Sequence, residues 1–165
     1  NRQAFNFVLK QKFEDPEKLK TAAIVMMDLD NLKYINDTYG HNFGDDYIRS
    51  TASVLRKFSS ENAIFARISG DEFYALIYGY DDKAPIRAFV EKIQDALLNT
   101  VFPLLEDPDF KIKASGGVAW YPDDSVSYED LLKYADFAMY EVKNTGKGHF
   151  KEFSSKNYNE NASQK

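Results

Sequence analysis

The sequence predicts an α+β fold, an α/β sandwich in which helices pack on a central, partly antiparallel sheet of about five strands. Three observations predict it. The chain has 165 residues, 44% of them hydrophobic and 15% aromatic, which suits one domain with a sizeable core. Apolar runs of strand length alternate with longer stretches whose apolar residues recur at helical spacing. Two of those runs, 63–68 and 72–78, are separated only by a short polar turn, the signal of a hairpin.

The elements follow in order. Residues 2–13, RQAFNFVLKQKF, put Phe5, Val8 and Leu9 on one helical face, and EDPEKLK then reads as a polar loop. TAAIVMMDLD is an apolar run that stops at two aspartates, a buried strand ending at a polar rim. NLKYINDTY spaces Leu32, Ile35 and Tyr39 for a helix, with Gly40 as its C-cap. FGDDYIRSTASVLRKF spaces Tyr47, Ile48, Val54, Leu55 and Phe58 for a second amphipathic helix. The hairpin comes next, its strands joined by a Ser-Gly turn. PIRAFVEKIQDALLNTVF is a helix with proline at its start, and DFKIKASGGVAWYP is a strand. SYEDLLKYADFAMYEVKNTG opens on a serine cap and closes on glycine. HFKEF reads as a last edge strand. The domain is therefore expected over 1–153, with 154–165, SSKNYNENASQK, as a flexible C-terminal tail.

Composition excludes several functions. Without cysteine, the chain has neither a disulfide framework nor a thiolate metal site, which is compatible with a cytoplasmic setting. Apolar runs such as AAIVMM are far too short to span a bilayer, so no membrane contact by this domain is expected. The sequence begins inside a helical pattern, so an excised domain is expected, from a parent with an unknown N-terminal sensory domain and room for a membrane anchor. A net charge of −5 argues against nucleic-acid binding. A phosphate-bearing substrate would need a metal ion or a local lysine cluster.

Three polar clusters carry the chemistry. In DLDNLKYIND, Asp28 and Asp30 lie two apart at a strand end and point the same way in extended geometry. Such a rim suits Mg²⁺, which takes a few hard oxygens plus substrate phosphates; a helix N-cap with a solvated partner is the alternative. In SGDEF, Asp71 and Glu72 sit between apolar runs, and can share a target only if the chain bends at Gly70; an ordinary polar turn is the alternative. In YEVKNTGKGHF, Lys143 and Lys147 are four apart, either a pair of charges for phosphate or lysines favoured by a helix C-terminus. Between them lie Asn36, His41 and Asp45. A carboxylate such as Asp45 can accept from guanine's ring N–H and amino group together, and helix capping is its other role.

Taken together, MMDLDNLKYINDTYGHNFGDDYI, RISGDEF and YEVKNTGKG resemble the successive signature blocks of the GGDEF domain family, the diguanylate cyclases, and NRQAF resembles the end of that family's opening segment. The resemblance covers about residues 1–153. It implies a nucleotidyl-cyclase fold related to polymerase palm domains, acting in bacterial signalling to condense two GTP into cyclic di-GMP with release of pyrophosphate. It places Mg²⁺, or Mn²⁺, on Asp28, the carbonyl of Leu29, Asp71 and Glu72, and makes Asp71 the base for the 3′-hydroxyl. Lys33 falls on the lysine that offsets charge on the phosphates. Asn36 and Asp45 fall on the guanine readers, His41 on an adjacent substrate contact, and Lys143 and Lys147 on a phosphate clamp. Catalysis then requires a homodimer, each domain holding one GTP. The other expectation is a catalytically inactive GTP-binding regulatory module.

The sequence departs from the family at two places. Ser69 replaces the first glycine of the signature, which costs on the order of 1 kcal/mol if the backbone there must have φ > 0. The family's R-x-x-D inhibition site is absent: the corresponding stretch is SENA, Ser60 to Ala63, so no feedback inhibition through it is expected.

Overall fold

One strand organises the molecule. In the computed structural model, which describes residues 1–163, Thr21–Leu29 forms β1, and Ala22 through Met27 are all buried. A strand apolar on both faces must be covered on both. The even residues Ala22, Ile24 and Met26 face one core, with Phe5, Leu131 and Met139. The odd residues Ala23, Val25, Met27 and Leu29 face the other, with Ile35, Tyr47 and Ile86. Side-chain alternation along one strand thus sorts the helices into two layers.

The first core is covered by α1 (Arg2–Phe13) and α6 (Tyr128–Thr145). The second is covered by α3 (Leu32–Tyr39), α4 (His41–Arg56) and α5 (Lys83–Leu98). The sheet adds β2 (Ala63–Ser69), β3 (Glu72–Tyr80), β4 (Ala114–Tyr121) and β5 (Phe150–Glu152), in the order β2-β3-β1-β4-β5. β1 pairs antiparallel with β3 and with β4, β2 with β3 likewise, and β5 is parallel to β4. This is the mixed five-stranded sheet flanked by helices that the sequence predicts.

Local chemistry explains the element ends. Asn1, Asp82 and Ser127 each accept a hydrogen bond from a backbone N–H in the first turn of α1, α5 and α6. The Asp82 cap starts α5 two residues before Pro85. Two segments differ from expectation. EDPEKLK is not a simple loop, because Asp15 caps a one-turn helix, α2 (Pro16–Leu19), whose Leu19 is buried. Residues 155–163 are not a flexible tail but α7 (Ser155–Ser163), whose Tyr158 packs edge-on against Tyr134, Phe137 and Phe153. Residues 164 and 165, the remainder of the expected tail, lie outside the described residues. β4 is also shorter than the run 109–122, since 102–112 forms a loop pinned by a Val101–Lys111 bridge.

α6 lies directly against the sheet at Gly117. A Cβ there would run into the Ala135 carbonyl oxygen and the Met139 amide of α6, both backbone atoms with no freedom to give way. Gly117→Ala is expected to destabilise the domain by about 3 kcal/mol, at the upper end of overpacking costs. Urea denaturation measures this; a change below about 1 kcal/mol would show that α6 can slide away from the sheet.

Candidate active site

The carboxylates meet where β1 ends. Asp28 is paired across β1–β3 with Glu72, so the two project to the same face, the one under α6. The hairpin turn is Gly70–Asp71, one residue later than a Ser-Gly turn, because Ser69 still pairs with Glu72. A bulge between Arg67 and Ser69 adds twist just before that turn. The Leu29 amide donates to the Asp71 carbonyl oxygen at 2.9 Å and pins the turn against β1.

This register sets the Asp71 carboxyl against that of Asp28. Burial first, and the hydrogen bond shared with Asp71 second, push the Asp28 carboxyl up to about 7, while the Lys143 ammonium pulls it the other way. Two carboxyls can share a hydrogen bond only while one holds a proton. Asp28 Oδ1 is buried and finds no donor among the described residues. Its Oδ2 accepts Lys143 Nζ at 3.1 Å. A buried oxygen without a donor, facing a second carboxylate, is completed by a proton or by a hard cation, so these residues fit a divalent ion. The Leu29 carbonyl closes the same strand end. Glu72 shares the face but is engaged elsewhere: Ser69 Oγ donates to its Oε2 at 3.4 Å, and it shares a hydrogen bond with the buried Tyr74 hydroxyl, whose pKa it helps to raise. Among the described residues, no three acidic or imidazole side chains already converge as a cation cage.

Asp30 differs from its neighbour. Its carboxylate is buried, accepts Ser115 Oγ at 2.9 and 2.8 Å, and accepts the Gly148 amide at 3.0 Å. It is neither a solvated cap nor an open ligand beside Asp28, although Lys143 Nζ lies 3.9 Å from it. The Lys143–Lys147 pairing also changes. α6 stops at Thr145 and Gly146 has φ +152°, so Lys147 lies beyond the helix, exposed, with φ +60°. Lys143 is anchored at the carboxylates; Lys147 belongs to a loop. The backbone cost foreseen at Ser69 does not arise, since its φ is not positive.

α3 follows β1 immediately, with Asn31 at φ +72° making the corner. Lys33, second in α3, is exposed. Asn36 lies one turn on, its side-chain amide set where a Cβ on Gly44 would stand, so only glycine admits it. Gly44 lies between His41 and Asp45 on α4, both exposed and one turn apart. The predicted guanine contacts are thus brought to one corner, and the residue the sequence reading overlooked is Gly44. Its signal was a glycine inside a helical pattern, where it is unfavourable without a packing reason.

A family model described as diguanylate cyclase, GGDEF domain, matches residues 1–149. The chain is similar to the biofilm architecture maintenance protein MbaA of Vibrio cholerae, 38% identical over 141 residues, covering 79% of this chain and 17% of that protein. It is also similar to the cyclic di-GMP phosphodiesterase NbdA of Pseudomonas aeruginosa, 32% identical over 158 residues, covering 93% and 19% respectively. The matched segment is thus less than a fifth of either relative's length. Among solved structures, the GGDEF domain of YfiN (or TpbB) from Pseudomonas aeruginosa superposes with a TM-score of 0.84 at 28% identity, covering 93% of this chain and 96% of that one. Its fold is the fold described above.

The Asp28 proton has a consequence for stability. Its pKa is raised in the folded domain, so folding retains a proton that the unfolded chain releases. That contribution is fully present below 3.8 and is lost as pH rises through about 7. With divalent cations chelated, the melting temperature of Asp28→Asn relative to the unsubstituted chain should therefore shift in the variant's favour between pH 5 and pH 8. A constant difference across that range would mean that Asp28 and Asp71 do not share a proton.

Proposed function

We propose that this chain, which belongs to the GGDEF domain family, is a diguanylate cyclase condensing two GTP into cyclic di-GMP with release of pyrophosphate. The observation that carries the reading is the Asp28–Asp71 pair with Lys143 beside it, at the strand end next to the Asn36–Gly44 corner. A divalent ion, Mg²⁺ or Mn²⁺, would be held by Asp28, the Leu29 carbonyl and Asp71, with Glu72 joining on release from Ser69 and Tyr74. Bound there, it would lower the pKa of a nucleotide hydroxyl and offset charge on the phosphates.

The chain's own residues have these parts. Asp71 accepts the proton from the 3′-hydroxyl of one GTP as that oxygen forms a bond to the α-phosphorus of the other and the bond to pyrophosphate breaks. Repeating the step with the roles exchanged closes the ring. Lys33, Lys143 and Lys147 take up charge on phosphate oxygens, most strongly as pyrophosphate departs. Asp45 and Asn36 accept from and donate to the edge of guanine, with His41 beside them; adenine offers no matching donor pair. One domain holds one GTP, so two domains must face each other, and the homodimer is part of the mechanism. In this reading the domain works in the cytoplasm, under a sensory segment of a longer parent that is free to be membrane-anchored. No helix among the described residues is long and apolar enough to cross a membrane.

The second reading is a GTP-binding regulatory module without turnover. What favours it is the name of one relative, a phosphodiesterase that carries this domain within a longer chain. Ser69 is a weaker reason, because its backbone is unstrained.

Concentrated protein incubated with GTP and Mg²⁺ should yield cyclic di-GMP, and Asp71→Ala should lower the rate at least about 100-fold, as expected for loss of a general base. GTP binding without product would establish the regulatory module instead. Added cyclic di-GMP should leave the initial rate unchanged through residues 60–63. Ser60 and Ala63 close a tight bridge there and supply neither arginine nor aspartate. Product bound by that turn in a titration would overturn the expectation.

A further inference from the structure

The loop between α6 and β5 is held in an unfavourable shape. Three successive residues have positive φ: Gly146 at +152°, Lys147 at +60° and Gly148 at +74°. Lys147 is the one that bears a side chain, so its left-handed conformation is costly and persists only where the surroundings impose it. The anchors are visible. The Lys147 amide donates to the Val142 carbonyl oxygen at 2.9 Å, and the Gly116 amide of β4 donates to the His149 carbonyl oxygen at 3.0 Å. Between them, the Gly148 amide donates to Asp30 Oδ2 and to Ser115 Oγ, each at 3.0 Å. Ser115 in turn donates its hydroxyl to Asp30.

This triangle joins the end of β1, the start of β4 and the loop. Asp30 is 2% exposed and Ser115 is fully buried. A carboxylate is taken out of water only where its partners repay the loss of solvation, and these partners are a hydroxyl, an amide and, at 3.9 Å, the Lys143 ammonium. A Cβ on Gly148 would run into the Lys113 side chain, so the loop lies hard against the entry to β4. The oxygens of Asp30 are committed to this triangle, which separates its task from that of Asp28 two residues earlier.

We propose that Asp30 is a positioning residue: through Ser115 and the Gly148 amide it fixes the backbone from which Lys147 reaches the triphosphate of GTP. The proposal rests on the reading of this site as a GTP site. Asp30 touches neither nucleotide nor cation in it and acts through Lys147. Lys143 is held chiefly by Asp28, 3.1 Å from its Nζ against 3.9 Å for Asp30, so the task of Asp30 is the loop past the end of α6.

The test combines amide exchange with a double-mutant cycle in the full chain. Ser115→Ala and Asp30→Asn should each speed hydrogen exchange at the Gly148 amide by about tenfold or more while the amides of β1 stay protected. Each should weaken GTP binding, measured by calorimetry with Mg²⁺ present, by about tenfold, and that loss should vanish in a Lys147→Ala background. Ser115→Ala keeps the cycle readable should Asp30→Asn fail to fold. Unchanged exchange at Gly148 overturns the latch. Faster exchange with losses that simply add to that of Lys147→Ala overturns the action through Lys147. If the unsubstituted chain binds no GTP, the functional reading falls and the phosphate half of the proposal with it, while exchange at Gly148 still decides the latch.

Discussion

Two carboxyls held face to face at the end of a buried strand are the constraint on which this structure turns. Asp28 and Asp71 repel when both are ionised, yet the β1–β3 register and the Leu29–Asp71 backbone hydrogen bond bring them together whatever their charge. The strain is relieved locally, by the Lys143 ammonium and by a proton that Asp28 keeps to about pH 7. A proton and a divalent cation compete for the same oxygens, so the feature that is costly in the bare domain is the one that suits it to the cation of the proposed function.

The rest of the fold delivers partners to that point. α6 lies so close to β4 at Gly117 that its position along the sheet is fixed, and with it the height of Lys143 above Asp28. α3 turns off directly from β1 through Asn31, which places Lys33 and Asn36 within a few residues of the carboxylates. Gly44 lets α4 close on α3 around the Asn36 amide. Tyr47 ties the same helix to both ends of the site, its buried hydroxyl donating to the Asp30 carbonyl oxygen at 3.0 Å and accepting the Lys113 amide at 3.1 Å. Rigid elements of this kind suit chemistry that depends on orientation.

The two departures from the family signature have different physical weight. Ser69 ends a strand, outside the left-handed region, and its hydroxyl gives Glu72 a partner rather than an obstacle. The stretch 60–63 is a tight turn leading into β2, and side chains decide what it can bind. Backbone shape tolerates the first change, whereas the second leaves a turn without the charged side chains of the family pattern.

The sequence by itself determined the layers and the chemistry on offer. An apolar run buried on both faces required a covered central strand, the serine cap at Ser127 marked a helix start, and Asp28, Asp71, Lys143 and Asn36 were all legible as candidates because spacing and local order are written along the chain. Three things were decided only by tertiary structure. Asp30 looked like a twin of Asp28, but contact with Ser115 and Gly148, 85 and 118 residues away, turned it inward. Lys147 looked like the i+4 partner of Lys143, but past Gly146, where the sequence already closes α6, a left-handed backbone at φ +60° carries it off on a loop. Residues 155–163 looked like a polar tail until Tyr158 found the aromatic side chains of α6. In each case the deciding partner is distant in sequence or the decision is a single backbone angle, and neither leaves a mark in local periodicity.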